Sequence, residues 1–268
     1  MTSAYRALKA AFRAFARMPL LVLTTFVLQS LLGMFTRVLA EWFGAPFPLI
    51  QPQIGSAHHV QVQDPFLLIH SAINLVISVP RALFIAPLAV SVHRFVLIAE
   101  TRDKVAVDLS LLDVRFAGWV AAIGVATETL VDVPLVLNFH GASALLYLGL
   151  LNIPLIFVLS RMSLSFPLLA AGAAAPLKTS WSLTKHHVAR IASVTLLIII
   201  LTFLLVVLLY FPCRIAMHRA AQLGLIQLDT ATTPAVAVYV FVGSTLSIGA
   251  LAAMASNFLL EYQKPKAD

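Results

Sequence analysis

Six apolar stretches, with basic residues crowded at alternate ends of them, leave this chain few folds to choose from. A helix that spans a bilayer needs about 20 predominantly apolar residues. Stretches of that kind run roughly over 18–39, 65–92, 116–138, 142–160, 191–211 and 235–260. Those from Ile191 to Phe211 and from Ala235 to Leu260 hold no charged residue, whereas Pro80-Arg81 interrupts the second and the third carries Glu128 and Asp132. A tight Asn138-Phe139-His140-Gly141 turn joins the third to the fourth. The expected fold is all-α: a polytopic membrane protein with six transmembrane helices.

Composition agrees. Of 268 residues, 60% are hydrophobic and 11% charged, where a soluble domain carries about 25% charged residues. Mean hydropathy is +0.96. A single transmembrane domain over 1–268 is expected, without a separate soluble domain. The net charge of +7 lies beside apolar runs, where it faces anionic headgroups. No basic patch interleaved with aromatics stands in a polar segment, so membrane lipids and not nucleic acid are the expected partners. The one cysteine, Cys213, excludes an intrachain disulfide and reads as a packing residue.

The positions of the basic residues set an orientation. Arg6, Lys9, Arg13 and Arg17 precede the first span; Arg94, Arg102, Lys104 and Arg115 lie between the second and third. Arg161, Lys178, Lys185 and Arg190 lie between the fourth and fifth, and Lys264 and Lys266 follow the sixth. These are fourteen of the eighteen basic residues; Arg214 and Arg219 fall on the opposite side, Arg37 and Arg81 within spans. Both termini are therefore expected in the cytoplasm. The first apolar stretch is longer than the 7–15 residues of a signal-peptide core, and Arg37 adjoins the small residues that could mark a cut, so it reads as an uncleaved span.

Short amphipathic helices are expected before the spans that run outward. Arg6, Lys9, Arg13 and Arg17 form one stripe and Tyr5, Leu8, Phe12 and Phe15 the opposite one, the pattern of a helix in the headgroup plane. Pro176 suits a first helical position; after it Leu177, Trp181, Thr184 and Val188 share one face, and Lys178, Ser182 and Lys185 the next. Asp108 is placed to cap a short helix before the third span. The plan is three helical hairpins, each led by an interfacial helix. Arg81 to Pro87 and Arg161 to Pro167 repeat an arginine and a proline at equal spacing.

Arg161-Met-Ser-Leu-Ser-Phe-Pro167, followed by Ser180-Trp181-Ser182-Leu183-Thr184-Lys185-His186-His187, resembles a stretch of poorly characterised bacterial multi-pass membrane proteins similar to the membrane domain of some glycerophosphodiester phosphodiesterases. Ala86-Pro87-Leu88-Ala89-Val90, then His93-Arg94-Phe95-Val96-Leu97 and Glu100, is similar to the same group. The resemblance implies an all-helical protein of the bacterial inner membrane. It does not imply phosphodiesterase activity, which in that family belongs to a separate soluble barrel that is not expected here.

Two sets of residues are candidates for function. His70, Asn74 and Arg81 fall within about 40° of one another on the second span, and Gly124, Glu128 and Asp132 share a face of the third. Arg81 lies about 9 Å deeper than Glu128, a gap an arginine largely closes. This is a candidate buried polar cluster: either a substrate or proton site, or an ion pair that fixes two hairpins. The second set, Arg13, Arg17, Arg94, Arg161 and Lys178, are candidate lipid-headgroup contacts. His58-His59 and His186-His187 lack a third ligand at metal spacing, so no metal is expected. Gly243, Ser247, Gly249 and Ala253, with Asn257, give the sixth span a small face for close packing against another span or another copy. No phosphate loop, catalytic triad or nucleotide motif is present, and no cofactor is expected. The leading expectation is a non-enzymatic, lipid-facing helper or assembly protein; the alternative is a small transporter or channel working through Arg81, Glu128 and Asp132. A lipid enzyme, with Arg94, Arg161 or Lys178 on a headgroup phosphate, lacks a nucleophile or base. A protein partner or homo-oligomer is left open.

Overall fold

A computed structural model of the chain describes residues 2–43, 65–101, 103–136, 142–223 and 245–263. The chain is all-helical, 86% helix, with no strand among the described residues. Its helices are α1 (Thr2–Arg17), α2 (Pro19–Trp42), α3 (Pro65–Ile98), α4 (Leu111–Val136), α5 (Ala142–Met162), α6 (Ser165–Ala170), α7 (Pro176–Leu183), α8 (Val188–Gln222) and α9 (Ser247–Tyr262). Each expected span falls on one of the long helices or on α9. Three, α2, α3 and α8, are long and apolar enough to cross a membrane. Most of the connection from Glu41 to Asp64 lies outside the described residues, as do Gly243 and the first ten residues of the sixth stretch.

Burial is concentrated at the end of the bundle where the basic segments meet. There α1 runs antiparallel along α9: Phe15 covers Gly249, while Ser3 and Arg6 lie beside Asn257, Glu261 and Gln263. The stripe that α1 buries against the chain is a third one, of alanines, which the sequence pattern did not single out; Tyr5 and Phe12 of the aromatic stripe are left to the surface. Ala4, Ala7, Ala11 and Ala14 are at most 3% exposed, while Tyr5 and Phe12 are 65% and 57% exposed. Leu8 and Phe15 pack at the edge of the buried face. The reason is steric. Gly249, Ala250, Ala252, Ala253 and Ser256 line α9 with small side chains, and two small faces approach more closely than a small and a bulky one. The small face of the sixth stretch thus meets α1 and α3 of its own chain, with Ala252 and Ala253 beside Ala11, Ala14, Leu88 and Val92.

Helix α3 is the hub, packed on α2, α4 and α9. It turns Ala82, Ala86 and Ala89 toward Phe116 and Ala117 of α4. Its His93 ring, wholly buried, shares a 2.8 Å hydrogen bond with Ser256 Oγ of α9. Pro80 and Pro87 stand inside it. Each removes a donor from the helix ladder, so the carbonyls of Val76 and Leu83 lose their i+4 donor. Between the two prolines, Gln29 Nε2 of α2 donates to the Arg81 carbonyl at 3.2 Å. The Arg81–Pro87 and Arg161–Pro167 segments are built differently. α3 is continuous through Pro87, whereas α5 ends at Met162 and α6 restarts with Pro167 in its first turn, where its missing N–H is no loss.

The connection from α3 to α4 is pinned at several points. Asp103 Oδ1 accepts from the Leu21 N–H at 3.0 Å, capping α2, and Thr24 Oγ1 accepts from the Ala106 N–H at 3.0 Å. Ser110, not Asp108, caps α4. Its Oγ accepts from the Asp113 N–H at 3.2 Å, and Asp113 Oδ2 accepts from the Ser110 N–H at 2.8 Å. That reciprocal pair needs two residues between cap and carboxylate, and with α4 starting at Leu111 only Ser110 satisfies the spacing. Asp113, buried, also holds Lys104 Nζ at 2.7 Å.

A Val side chain at Gly249 should dislodge α1. A Cβ there would lie 2.3 Å from Phe15 Cζ. Gly249→Val is expected to lower stability in detergent by about 1–3 kcal/mol, and adding Phe15→Ala should recover part of it. Thermal unfolding of the two single variants and the double variant checks this; strictly additive losses would mean that the ring is not the obstacle.

Candidate functional site

The last turn of α5 and the short α7 make a junction out of the two segments singled out by sequence, Arg161 to Pro167 and Ser180 to His187. The backbone geometry between them is set by α6. Gly172, at φ +82°, closes α6: its N–H donates to the Leu169 carbonyl and the Ala173 N–H to the Leu168 carbonyl, both at 2.9 Å. This double closure requires a left-handed residue at that position, which glycine adopts without steric cost. The chain then reverses, and Pro176 opens α7 at its first turn.

Helix α7 docks by its hydroxyls. Ser180 Oγ, fully buried, donates to the Arg161 carbonyl at 2.6 Å. Thr184 Oγ1, also fully buried, donates to the Ser180 carbonyl at 2.8 Å. The last carbonyls of α5 have no partner within their own helix, and α7 supplies one. In return Arg161 Nη1 donates to the Trp181 carbonyl at 2.8 Å. The guanidinium carbon lies 4.8 Å from the centroid of the Trp181 ring and 5.6 Å from that of Phe157, within cation–π range of both. Arg161 Nε is buried and has no hydrogen-bond partner among the described residues.

The outer face of this junction is an open cleft of about 610 Å³ lined by Arg161, Leu177, Lys178, Trp181, Ser182 and Lys185. Three cations and no carboxylate line it. The apolar members, Leu177 and Trp181, are 38% and 41% exposed. The face expected to unite Leu177, Trp181, Thr184 and Val188 is therefore divided. Thr184 turns inward, Leu177 and Trp181 outward, and Val188 begins α8, because α7 ends at Leu183. Chemically, such a cleft can hold an anion.

Of the candidate headgroup contacts, the structure brings Arg161 and Lys178 together and adds Lys185, which sequence reasoning placed on the right face without counting it in the set. Arg13 and Arg17 are exposed on α1. Arg94 is committed elsewhere: it is ion-paired with Glu100, and its Nη1 donates to the Ala170 carbonyl at the end of α6 at 3.3 Å. In the candidate polar cluster, Asn74 and Arg81 are half-buried on α3. The side chains of His70, Glu128 and Asp132 lie outside what the structure describes. His186 is exposed, and His187 stacks on Tyr262 at 4.3 Å between centroids; His58-His59 lies outside the described residues. Among the described residues no three metal-ligating side chains gather.

Removing the buried hydroxyl should weaken the junction. Ser180→Ala removes the shorter of two hydroxyl bonds to the Arg161 carbonyl, the other coming from Thr184 Oγ1 at 3.4 Å, and is expected to cost about 1 kcal/mol, whereas Ser182→Ala, on the exposed side, should be close to neutral. Chemical or thermal unfolding of both variants in detergent makes the comparison, and equal effects would remove the hydroxyl's role as the dock. No family model, no curated protein and no solved structure matches the chain, so what the cleft can do follows from its own residues.

Proposed function

We propose that this chain is a non-enzymatic, lipid-facing helper or assembly protein of the bacterial inner membrane. In this reading it crosses the bilayer six times as three hairpins, with both termini cytoplasmic. One observation carries it: the surface of α8. Over Val188–Cys213 its mean hydropathy is 3.1, yet only 17% of that window is buried by the rest of the chain. Phe203 and Leu208 are 64% and 67% exposed. An exposed apolar face of that extent is costly in water, and acyl chains cover it without cost. At 35 residues and about 1.5 Å per residue, α8 is longer than the hydrocarbon layer is thick.

The packing of α2 on α3 and of α8 on α9 supports hairpins at the first and third positions, and Tyr147 Oη of α5 donates to the Leu130 carbonyl of α4 at 3.2 Å in the second. The packing of α1, α6 and α7 against α3, α5 and α9 supports a membrane domain with these helices on its cytoplasmic side. The resemblance of the Arg161 and Ser180 segments to the phosphodiesterase membrane domain belongs to the same proposal. A cleft whose three cations can retain an anion favours the helper role.

Reporter fusions test the topology. Alkaline phosphatase fused after Gln263 or within 103–110 should be inactive, and the same reporter after Leu223 should be active. An active fusion after Gln263 would refute the even-numbered topology.

A further inference from the structure

We propose that the cleft between α5 and α7 is a binding site for one anionic phospholipid, its phosphate held by Arg161, Lys178 and Lys185. The inference rests on the membrane reading above and names the ligand of its site.

The charge argues first. Three cationic side chains converge on one cleft of about 610 Å³, and no carboxylate lines it. Left empty, that arrangement is self-repelling; a phosphate compensates it. Arg161 cannot be neutralised by losing its proton, and its side chain lines the cleft. The other cations on the candidate list differ. Arg94 already has Glu100 and a helix carbonyl, and Arg13 lies on an exposed stripe of α1.

The apolar surface beside the cations argues for a lipid over a soluble phosphate. Trp181 and Leu177 sit at the rim, the exposed amphipathic pair expected at headgroup depth. From Arg161 an exposed track runs back along one face of α5: Phe157 four residues away, Pro154 seven and Leu150 eleven. These spacings repeat on a helix surface. Phe157 and Leu150 are 48% and 63% exposed, and Pro154 is exposed as well. A diacyl lipid whose phosphate sits at Arg161 has its chains over that track. Inorganic phosphate makes no use of it.

Native mass spectrometry of the purified chain in neutral detergent, titrated with phosphatidylglycerol and with phosphatidylcholine, tests the site. The unmodified chain should prefer phosphatidylglycerol. Lys178→Gln with Lys185→Gln should weaken that binding about tenfold and leave phosphatidylcholine unchanged; both lysines are exposed, so the fold should survive, which a melting curve verifies. Lys9→Gln with Arg13→Gln removes equal charge from α1 and should change binding by less than about twofold. Leu150→Asn, on the track but eleven residues from Arg161, should weaken the lipid but not inorganic phosphate. Equal losses from the two charge pairs would overturn the site in favour of diffuse surface charge. Displacement of the lipid by millimolar inorganic phosphate, with Leu150→Asn silent, would assign the cleft to a soluble anion. Flotation separates the levels of failure. A chain that floats with phosphatidylcholine vesicles yet shows no headgroup preference sinks only the site, whereas one that floats with no vesicle sinks the membrane reading too.

Discussion

A backbone polar group without a partner is tolerable in water and costly beside lipid. In this chain the partners for the helix ends come from other helices. Asp103 caps α2 from the connection that follows α3; Arg94 reaches from α3 to the last carbonyl of α6; Ser180 reaches from α7 to the end of α5. Each contact satisfies one helix terminus and fixes the position of another element. The arrangement of these helices follows from that exchange, since moving any one of them would strand a donor or an acceptor on its neighbour.

The second requirement is that the helices come close enough for those side chains to reach. The alanine face of α1 and the small face of α9 meet this need with shape instead of hydrophobic mass. Burying an alanine methyl removes little apolar area, so the gain lies in the dispersion contacts that close approach allows. The same approach sets α3 against α9 near enough for His93 and Ser256 to share a proton. Larger side chains in α1 would have buried more area and held these elements apart.

This explains what was legible in the sequence and what was not. The long apolar helices were, because runs of twenty apolar residues have few other uses. The basic stripe of α1 was also legible. The face it buries against the chain was not, because alanines carry little weight in a hydrophobic pattern, while the deciding variable was the size of the partner's side chains. The capping of α4 by Ser110 was hidden for a smaller reason: Asp108 and Ser110 are both good caps, and the choice between them depends on where the helix starts. The segments around Arg161 and Trp181 stood out as a pattern, but nothing in their order announces that Ser180 is bonded to the carbonyl of Arg161, nineteen residues earlier.

Arg161 shows why such a pattern takes the form it does. Its carbonyl and its guanidinium do different work on the same residue. The carbonyl receives Ser180, which holds α7 in place; the guanidinium contacts the Trp181 carbonyl and ring, which holds the tryptophan at the rim. Lysine could supply the charge but not the planar group that stacks and donates at once. Serine at 180 supplies a donor small enough to be buried at the interface, and tryptophan at 181 supplies an exposed edge. The dock and the cleft are therefore one construction: the bonds that position α7 also bring Lys178 and Lys185 beside the guanidinium.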